Sequence, residues 1–193
     1  MQLNNFKYFL SFILGKFYCF IKGVEFGPRL KIYGLPLIKK NKKAKIVLGE
    51  AVVLTSNFKV NLAGIKHKII LAAPNKESEI IIGNNSGLSG CVIYADKSVR
   101  IGNYVNIGAN TSIYDTDFHS IDYLQRRENK KAKAVPVTIE DDVWIGSNAV
   151  ILKGVTIARG AVIGSNSVVT KDVPEFTVWA GNPAKYIKDI NRE

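Results

Sequence analysis

The second half of the chain places a β-branched residue at every sixth position. The series is Ile139, Ile145, Ile151, Ile157, Ile163 and Val169. A second series, four residues further on, holds only small or β-branched side chains: Val143, Ala149, Val155, Ala161, Ser167 and Val173. Because 41 of the 193 residues are Ile or Val, six in a row by chance has odds on the order of 10⁻⁴. The two series therefore indicate a structural repeat of six residues.

A period of six matches neither the 3.6 residues of an α-helix nor a hairpin meander, and it predicts short strands joined by sharp corners. If three repeats close one triangular coil, residues 18 positions apart stack about 4.7 to 4.9 Å apart with parallel backbone hydrogen bonds. β-branched side chains suit the interior of such a prism because they fill it in few rotamers. The predicted stacked pairs are Ile139 with Ile157, Ile145 with Ile163, and Ile151 with Val169.

The same pattern begins earlier in the chain. It recurs at Ile101, Ile107 and Ile113, and a looser approach runs from Ile82 through Leu88, with a slip of one residue before Ala95. Strand-like segments further upstream are assigned only as leading coils. Ile113 and Ile139 are 26 residues apart, which is not a multiple of six, so a loop over about 114–136 is predicted to leave the solenoid. Loops of this length in a compact domain are usually functional or disordered.

The N-terminal arm, 1–28, is predicted to be an amphipathic helix. On a helical wheel, one narrow face holds Asn4, Lys7, Ser11, Gly15, Tyr18 and Lys22, and the remainder is mainly Phe6, Phe9, Leu10, Ile13, Phe17, Phe20 and Ile21. Lysines interrupt every apolar run before the ~18 to 20 residues that a transmembrane helix needs, and no secretory cleavage site follows. Two interpretations stay open. The helix packs on the body or on another subunit, or it makes peripheral contact with a membrane surface.

Composition and charge narrow the function classes. The chain carries a formal net charge of +11, 47% hydrophobic residues and two cysteines, which excludes a disordered, collagen-like or disulfide-rich protein. Cys19 and Cys91 form no CxxC pair, so we expect reduced, buried thiols, no metal site and a cytoplasmic location. The basic tracts 39–45 and 126–133 lack interleaved aromatic residues, and no nucleic-acid fold signature is present, so nucleic-acid binding is not expected.

Several motifs resemble those of the hexapeptide-repeat acyltransferases, in particular the maltose, galactoside and polysaccharide O-acetyltransferases. The motifs are Asp115-Thr116-Asp117-Phe118-His119, Val143-Trp144-Ile145-Gly146, Val169-Thr170-Lys171-Asp172 and Ala180-Gly181-Asn182-Pro183-Ala184-Lys185. The resemblance implies an all-β fold, a left-handed parallel β-helix over 29–183 with one projecting loop. It also implies acetyl-CoA as the acyl donor and a homotrimer with active sites between subunits. The tail, 184–193, is expected to form a short helix.

His119 is the predicted general base. The chain has only two histidines, and the other, His67, lies in an irregular upstream segment. Transfer of an acetyl group to a hydroxyl needs a base, and an imidazole with an ordinary pKa near 6.5 serves at neutral pH. In an extended chain Asp117 would point to the same side and orient the ring, with Asp115 as second choice. A covalent acyl-cysteine route is disfavoured because neither cysteine has a histidine nearby in sequence.

The resemblance also implies donor and acceptor contacts. By motif position the acetyl-CoA contacts are Trp144, Ser147, Ser165, Thr170, Lys171, Lys185 and Lys188. The acceptor candidates are Asn84, Asn85, Ser89 and Asp96. Only Asp96 aligns with an acidic sugar contact of the family, whereas the family's asparagine aligns nearer to Leu88, so the acceptor match is weaker than the donor match.

The function predicted from these features is acetyl-CoA-dependent O-acetylation of a sugar or polysaccharide precursor. Three alternatives stay open: N-acetylation of a nucleotide-linked amino sugar, acetylation of an antibiotic, and a non-catalytic solenoid used only for assembly. The basic tracts and the arm also suit anionic lipid headgroups or a diphosphate-linked glycan precursor.

Overall fold

In the computed structural model, the chain winds into a triangular prism of parallel strands. The structure describes residues 2–128 and 132–191, with side chains from Ser11 onward. One helix, α1 (Gln2–Ile21), precedes the prism, and a second, α2 (Tyr123–Arg127), lies in its longest loop.

Three sheets form the sides of the prism. Sheet A contains β1 (Glu25–Phe26), β4 (Lys45–Leu48), β7 (Glu79–Ile82), β10 (Ser98–Ile101), β13 (Val137–Ile139) and β16 (Thr156–Ile157). Sheet B contains β2 (Lys31–Tyr33), β5 (Val53–Thr55), β8 (Gly87–Ser89), β11 (Asn106–Ile107), β14 (Trp144–Ile145), β17 (Val162–Ile163), β19 (Thr177–Gly181) and β20 (Ala184–Asp189). Sheet C contains β3 (Leu37–Lys40), β6 (Ile70–Ala73), β9 (Val92–Tyr94), β12 (Ser112–Tyr114), β15 (Val150–Ile151) and β18 (Val168–Val169). From β1 to β18 the chain passes repeatedly from A to B to C, so the prism has an A–B edge, a B–C edge and a C–A edge.

The register of the strands confirms the six-residue repeat. Parallel pairing joins Ile139 to Ile157, Ile145 to Ile163 and Ile151 to Val169, as the sequence predicts. These side chains are fully or almost fully buried and form columns along the interior. The columns supply the apolar burial that stabilises so many two- and three-residue strands.

The corners explain the small residues between the strands. A Cβ atom placed on Gly146 would lie 2.6 Å from the backbone nitrogen of Ser165 in the next coil, so only glycine allows this approach. Asn148 and Asn166 follow on the same edge with φ of 59° each, a left-handed conformation that asparagine tolerates better than most residues. The B–C edge is therefore a ladder of similar turns.

The upstream coils are regular in pairing and irregular in spacing. The slip before Ala95 is confirmed, because Leu88 pairs with Ile107, 19 positions on, whereas Ile93 pairs with Ile113, 20 positions on. The first coil begins at β1, which pairs with β4. A second long connection, 56–69, leaves the prism between β5 and β6, and Asn110 holds it through hydrogen bonds to Gly64 O (2.9 Å) and from Lys66 N (2.8 Å). The sequence pattern predicts only one projecting loop, over about 114–136.

The ends of the prism are closed differently from what the sequence predicts. The tail forms no helix. It forms strand β20, which runs antiparallel to β19 after a turn at Asn182 and Pro183. The prediction of a C-terminal helix is wrong because β19 leaves an unpaired edge of sheet B, and the tail satisfies that edge with main-chain hydrogen bonds. Trp179 of β19 packs against the end of the core.

Helix α1 covers the opposite end of the prism. Its Ser11 Oγ donates to Ile32 O of edge strand β2 at 3.0 Å, and the Phe12 ring meets Tyr33 edge-to-face at 5.0 Å. Cys19 is fully buried against the core. Among the described residues, no helix is long and apolar enough to cross a membrane.

Candidate active site

The C–A edge carries the predicted base and the longest loop. The segment 115–136 emerges there between β12 and β13. Asp96 lies one coil below the loop, and Lys153 and Lys171 lie in the two coils above it. The C–A edge therefore concentrates carboxylates, lysines and one histidine along a single corner of the prism.

Asp115 anchors the root of the loop. Its carboxylate is fully buried and accepts three backbone N–H bonds from the coil below, from Asp96 (2.7 Å), Lys97 (2.6 Å) and Ser98 (2.8 Å). Burial raises the pKa of Asp115 above that of an ordinary aspartate, and the three N–H donors oppose the rise. Asp115, the second choice to orient the base, instead ties two coils together.

A tight turn at Phe118 presents His119. The backbone nitrogen of His119 donates to Asp117 O at 2.7 Å across Phe118, whose φ is 64°. A hydrogen bond between residues two apart with positive φ is a strained three-residue turn. The premise of an extended chain at this point is therefore wrong, because the turn rotates the two side chains out of the alternation of a strand.

Aromatic packing holds the strained turn in place. The Phe118 ring lies 4.7 Å from the Tyr94 ring and 5.3 Å from the Tyr114 ring, measured between centroids. Such pairs contribute about 0.5 to 1.5 kcal/mol each beyond the area that they bury. Strain that persists because surrounding contacts fix it is typical of functional sites.

The carboxylate of Asp117 pairs with Lys153 of the coil above. Both side chains are about two thirds shielded from solvent, so the pair fastens the loop to the body. Within the described part of the chain, the imidazole of His119 has no hydrogen-bond partner, and the residue is exposed. The role of Asp117 in orienting the ring stays a prediction.

A small cavity of about 130 Å³ adjoins this turn. Its lining includes the rings of Tyr94 and Phe118 and the polar groups of Asn75 and Asp96. The Asn75 amide donates to the Asp96 carboxylate at 2.7 Å. Burial, followed by the charges of Asp96 and Asp115, raises the pKa of Tyr94, so its hydroxyl stays protonated as a donor. Aromatic faces beside a carboxylate, an amide and a hydroxyl suit a polar, hydroxylated ligand.

Three of the predicted donor contacts lie on the outer face of sheet B. Trp144 is 57% exposed, and its column continues through Val162 and Val178 to Lys188 of β20. Lys185 lies on the same strand as Lys188. An apolar stripe that ends in exposed cations fits a ligand with an apolar arm and a phosphorylated end.

The other donor candidates lie on two different edges. Ser147 and Ser165 occupy successive turns of the B–C edge, where Asn166 N donates to Ser147 O at 2.9 Å. Thr170 and Lys171 follow β18 and lie exposed on the C–A edge. The structure therefore brings Thr170 and Lys171 to the His119 edge and keeps the two serines away from it.

The acceptor candidates are also divided. Asp96 lines the cavity beside Phe118. Asn84 and Asn85 lie on the A–B edge, where Asn84 Oδ1 accepts from Glu50 N (2.7 Å) and Asn85 has a φ of 56°. Ser89 Oγ accepts from Asn61 of the upstream loop at 2.8 Å. Within one chain, Asp96 alone of the four lies at the His119 edge, and the others stabilise turns and a loop.

The sequence pattern does not predict the residues that shape the cavity. Tyr94 and Asn75 lie in neighbouring coils below the loop, and Phe118 is separated from them by more than 20 residues. Tyr94 and Tyr114 occupy equivalent positions of β9 and β12, which lie side by side, and this equivalence could have indicated Tyr94. The separation of 21 residues between Asn75 and Asp96 matches no repeat in the sequence, so their contact could not be predicted.

Neither cysteine offers a nucleophile to this site. Burial raises the pKa of Cys19 to about 11 and that of Cys91 to about 12, so the reactive thiolate is scarce at neutral pH. Of the residues that the structure describes, no three His, Cys, Asp or Glu side chains form a group that could hold a metal ion.

The basic tract of the loop begins on α2. Asp122 caps this short helix, and Arg126 donates to the carbonyl oxygens of Ser120 (2.9 Å) and Ile121 (3.1 Å). Arg126 thus stiffens the outer part of the loop. Residues 129–131 of the predicted basic tract lie outside the described residues.

Comparison with known proteins identifies the repeat. A family model described as bacterial transferase hexapeptide (six repeats) matches residues 136–171. Galactoside O-acetyltransferase of Escherichia coli K12 is 41% identical over 115 residues, which are 59% of this chain and 56% of that protein. The chain spans about half the length of the curated relatives that it matches.

Solved structures extend the likeness to the fold. The hexapeptide-repeat acetyltransferase of Vibrio cholerae in complex with acetyl coenzyme A aligns with a TM-score of 0.55 and 39% identity, over 58% of this chain and 61% of that chain. The polySia-specific acetyltransferase NeuO aligns with a TM-score of 0.63 and 28% identity, over 86% of this chain and 75% of that chain. The likeness to hexapeptide-repeat structures confirms the predicted left-handed parallel β-helix.

Proposed function

We propose that this chain is an acetyl-CoA-dependent O-acetyltransferase. The proposal starts from its hexapeptide repeat and from its similarity to acetyltransferases. The proposed acceptor is a hydroxyl of a sugar in a polysaccharide or its precursor. One observation carries the proposal: an exposed imidazole stands on a strained turn beside a cavity lined by aromatic and polar groups. The second histidine, His67, lies in the upstream loop, and its Nδ1 contacts Lys68 O at 2.9 Å.

The proposed reaction is direct transfer. His119 takes the proton of the acceptor hydroxyl as its oxygen attacks the thioester carbonyl. The bond from carbon to sulfur breaks, the ester forms, and the proton passes to the departing thiolate of coenzyme A. Tyr94, Asn75 and Asp96 supply the hydroxyl, amide and carboxylate that would hold the sugar, with Phe118 against its apolar face.

The donor substrate is proposed to bind along sheet B. Trp144 and the valines of its column would contact the apolar arm of acetyl-CoA, and Lys185 and Lys188 its phosphates. Ser147 and Ser165 lie on the neighbouring B–C edge and would contact the arm. Thr170 and Lys171 remain with the His119 edge, where they would meet the donor from the opposite side.

The prism geometry supports a proposed homotrimer. In a triangular prism, the side formed by sheet B lies opposite the C–A edge, so Trp144 and His119 of one chain face away from each other. A threefold arrangement in which the C–A edge of one subunit meets sheet B of the next brings base and donor into one groove.

The proposed location is the cytoplasm. Both thiols are unpaired and buried, as in a reducing compartment, and acetyl-CoA would have to be available there. The net positive charge of the chain would attract polysaccharide precursors that carry negatively charged or lipid-linked groups.

An assay of thiol release tests the proposal. The full chain is incubated with acetyl-CoA and a panel of neutral sugars, amino sugars and nucleotide sugars. We expect ester formation with a sugar hydroxyl, and a loss of about 10² to 10⁴ in kcat for His119→Ala. His67→Ala is the matched control and should keep wild-type turnover.

Two results would contradict the proposal. Wild-type turnover by His119→Ala under saturating acetyl-CoA would remove the assigned base. Product analysis that shows an amide instead of an ester would favour the amino-sugar alternative, and absence of thiol release with every acceptor would favour a non-catalytic solenoid.

A further inference from the structure

Helix α1 turns its apolar side away from the protein. Its contacts with the prism use the narrow face, through Ser11 and Gly15, and the neighbouring side chains of Phe12 and Cys19. The outward side chains are Ile13 (49% exposed), Leu14 (52%), Phe17 (61%), Phe20 (73%) and Ile21 (62%). Five large apolar side chains on one helix face form a patch that a soluble surface rarely shows.

The narrow face packs inward for two physical reasons. A Cβ on Gly15 would lie 2.8 Å from the Ile32 Cβ, so the small residue lets the helix lie directly on edge strand β2. Ser11 and Tyr18 then meet main-chain groups of β2 and β3, with Ile38 N 3.4 Å from the Tyr18 hydroxyl oxygen. The outward orientation of Phe17 and Phe20 therefore follows from specific contacts of the opposite face.

Most of the net positive charge lies in the first quarter of the chain. The first 49 residues contain ten Lys and Arg and a single acid, Glu25, whereas the remaining residues contain seventeen basic and fifteen acidic side chains. Residues 1–49, which reach from the arm to strand β4 of the second coil, thus hold +9 of the net charge of +11. Helix α1 itself contains no acidic residue.

The basic side chains surround the C-terminal end of the helix. A cavity of about 380 Å³ there is lined by Lys22, Lys39, Lys40 and Lys42 together with Ile21. Lys40 Nζ donates to Ala44 O at 2.8 Å and is engaged within the chain, while Lys22, Lys39 and Lys42 are exposed. A rim of lysines around an apolar patch is the pattern of a helix that lies in the headgroup region of an anionic membrane.

We propose that the base of the prism, formed by the outward face of α1 and the lysines of the first coil, is a docking surface for an anionic lipid bilayer. Phe17, Phe20 and Ile21 enter the interface, and Lys22, Lys39 and Lys42 contact lipid phosphates. A second copy of the chain is a poor occupant, because it would bring two lysine-rich surfaces together. The inference is independent of the acetyl-transfer proposal.

Vesicle flotation with the full chain tests this proposal. The probes are vesicles of phosphatidylcholine alone and of phosphatidylcholine with phosphatidylglycerol at about one third of the lipid. We expect binding to the anionic vesicles only, and weaker binding at about 0.5 M salt because charges on the surface are screened.

Matched pairs of variants separate the two contributions. Phe17→Gln/Phe20→Gln should lower the partition coefficient by at least about tenfold. Phe58→Gln/Leu62→Gln, at positions of the upstream loop that are at least as exposed, should leave it unchanged. Lys22→Gln/Lys42→Gln should lower it about fivefold for each lysine, and Lys59→Gln/Lys66→Gln should not. Melting temperatures identify any variant that is misfolded.

Several outcomes would overturn the docking surface. These are failure of the wild type to bind anionic vesicles, equal losses for the helix variants and their loop controls, and a change of oligomeric state in Phe17→Gln/Phe20→Gln with unchanged vesicle binding. The last result would assign the face to contacts between copies. Thiol release is measured separately, so a failure here leaves the acetyl-transfer proposal intact.

Discussion

Phe118 combines an unfavourable backbone with favourable side-chain contacts. At a φ of 64° a residue with a Cβ is strained, and the rings of Tyr94 and Tyr114 offset that strain. The contacts also fix the position of the following residue, His119. Positioning of a base depends on such neighbours, since a displacement of about 1 Å costs on the order of 10²-fold in rate.

Two substitutions at Phe118 distinguish strain from packing. Phe118→Ala and Phe118→Gly both remove the ring, and we expect each to lower kcat about tenfold or more. Glycine relieves the strain, so Phe118→Gly should be about 0.5 to 1 kcal/mol more stable than Phe118→Ala in urea unfolding. This order is the reverse of that in an ordinary strand or helix.

Tyr104 supplies the control for these variants. It has a φ of 57° and is exposed on the A–B edge. Tyr104→Gly should therefore be more stable than Tyr104→Ala, without loss of kcat. A Phe118→Ala variant with wild-type kcat would show that the aromatic cluster does not position the proposed base.

Single residues also show where sequence reasoning stops. His119 could be singled out because only two histidines exist and one motif surrounds it. The contact of Asp117 with Lys153, 36 positions away, depends on the size of the loop between β12 and β13, and no local pattern reports that size. The role of Asp115 is hidden in the same way, because its donors lie in the previous coil.

Among the elements, the strands of the second half were predictable and the two ends were not. Because the corners of these coils have the same length, the period stays at six. The pairing partners of Ile139, Ile145 and Ile151 therefore follow from the spacing of the sequence. Upstream, the connection 56–69 changes the spacing and hides the period. The tail and α1 are positioned by the open edges of sheet B. A segment that covers a free edge carries no periodic sequence pattern from which its position could be predicted.

The packing of α1 against the prism depends on Gly15. Gly15→Ala raises intrinsic helix propensity by up to about 1 kcal/mol, but the added methyl group would overlap Ile32. Overpacking of this kind costs about 1 to 3 kcal/mol, so we expect a net loss of stability in urea unfolding. Leu14→Ala, at an exposed position of the same helix, should change stability by no more than about 0.5 kcal/mol.

The cysteines report whether the helix separates from the body. With a pKa of about 11 for Cys19 and about 12 for Cys91, the thiolate is about 10⁻³ and 10⁻⁴ of each thiol at pH 8, so native alkylation should be slow. In Gly15→Ala we expect faster alkylation of Cys19, measured by mass spectrometry, with Cys91 unchanged as internal control. Equal acceleration of both thiols would indicate global unfolding instead.

At the scale of the whole molecule, the proposed roles fall on different parts of the prism. The N-terminal end carries the lysine-lined cavity and the apolar helix face, the C–A edge carries the proposed general base His119 and the small cavity, and sheet B carries the aromatic and basic stripe. The C–A edge starts at the lysine-lined cavity, and the His119 loop leaves it three coils higher, about 14 Å along the axis. An acceptor attached to a lipid headgroup at the lysine-lined cavity would have to extend about this distance along the prism to reach the His119 loop.

Because His119 and Trp144 lie on opposite sides of one prism, subunit complementation tests how the site is assembled. His119→Ala and a Trp144→Ala/Lys185→Ala variant should each be nearly inactive. In randomly mixed trimers about one quarter of the grooves would combine an intact base with an intact donor face, so we expect about a quarter of wild-type turnover after coexpression. A mixture of His119→Ala with His119→Asn should stay inactive. If base and donor face belonged to the same chain, the mixture would only average its two inactive parents, since no groove would regain both groups.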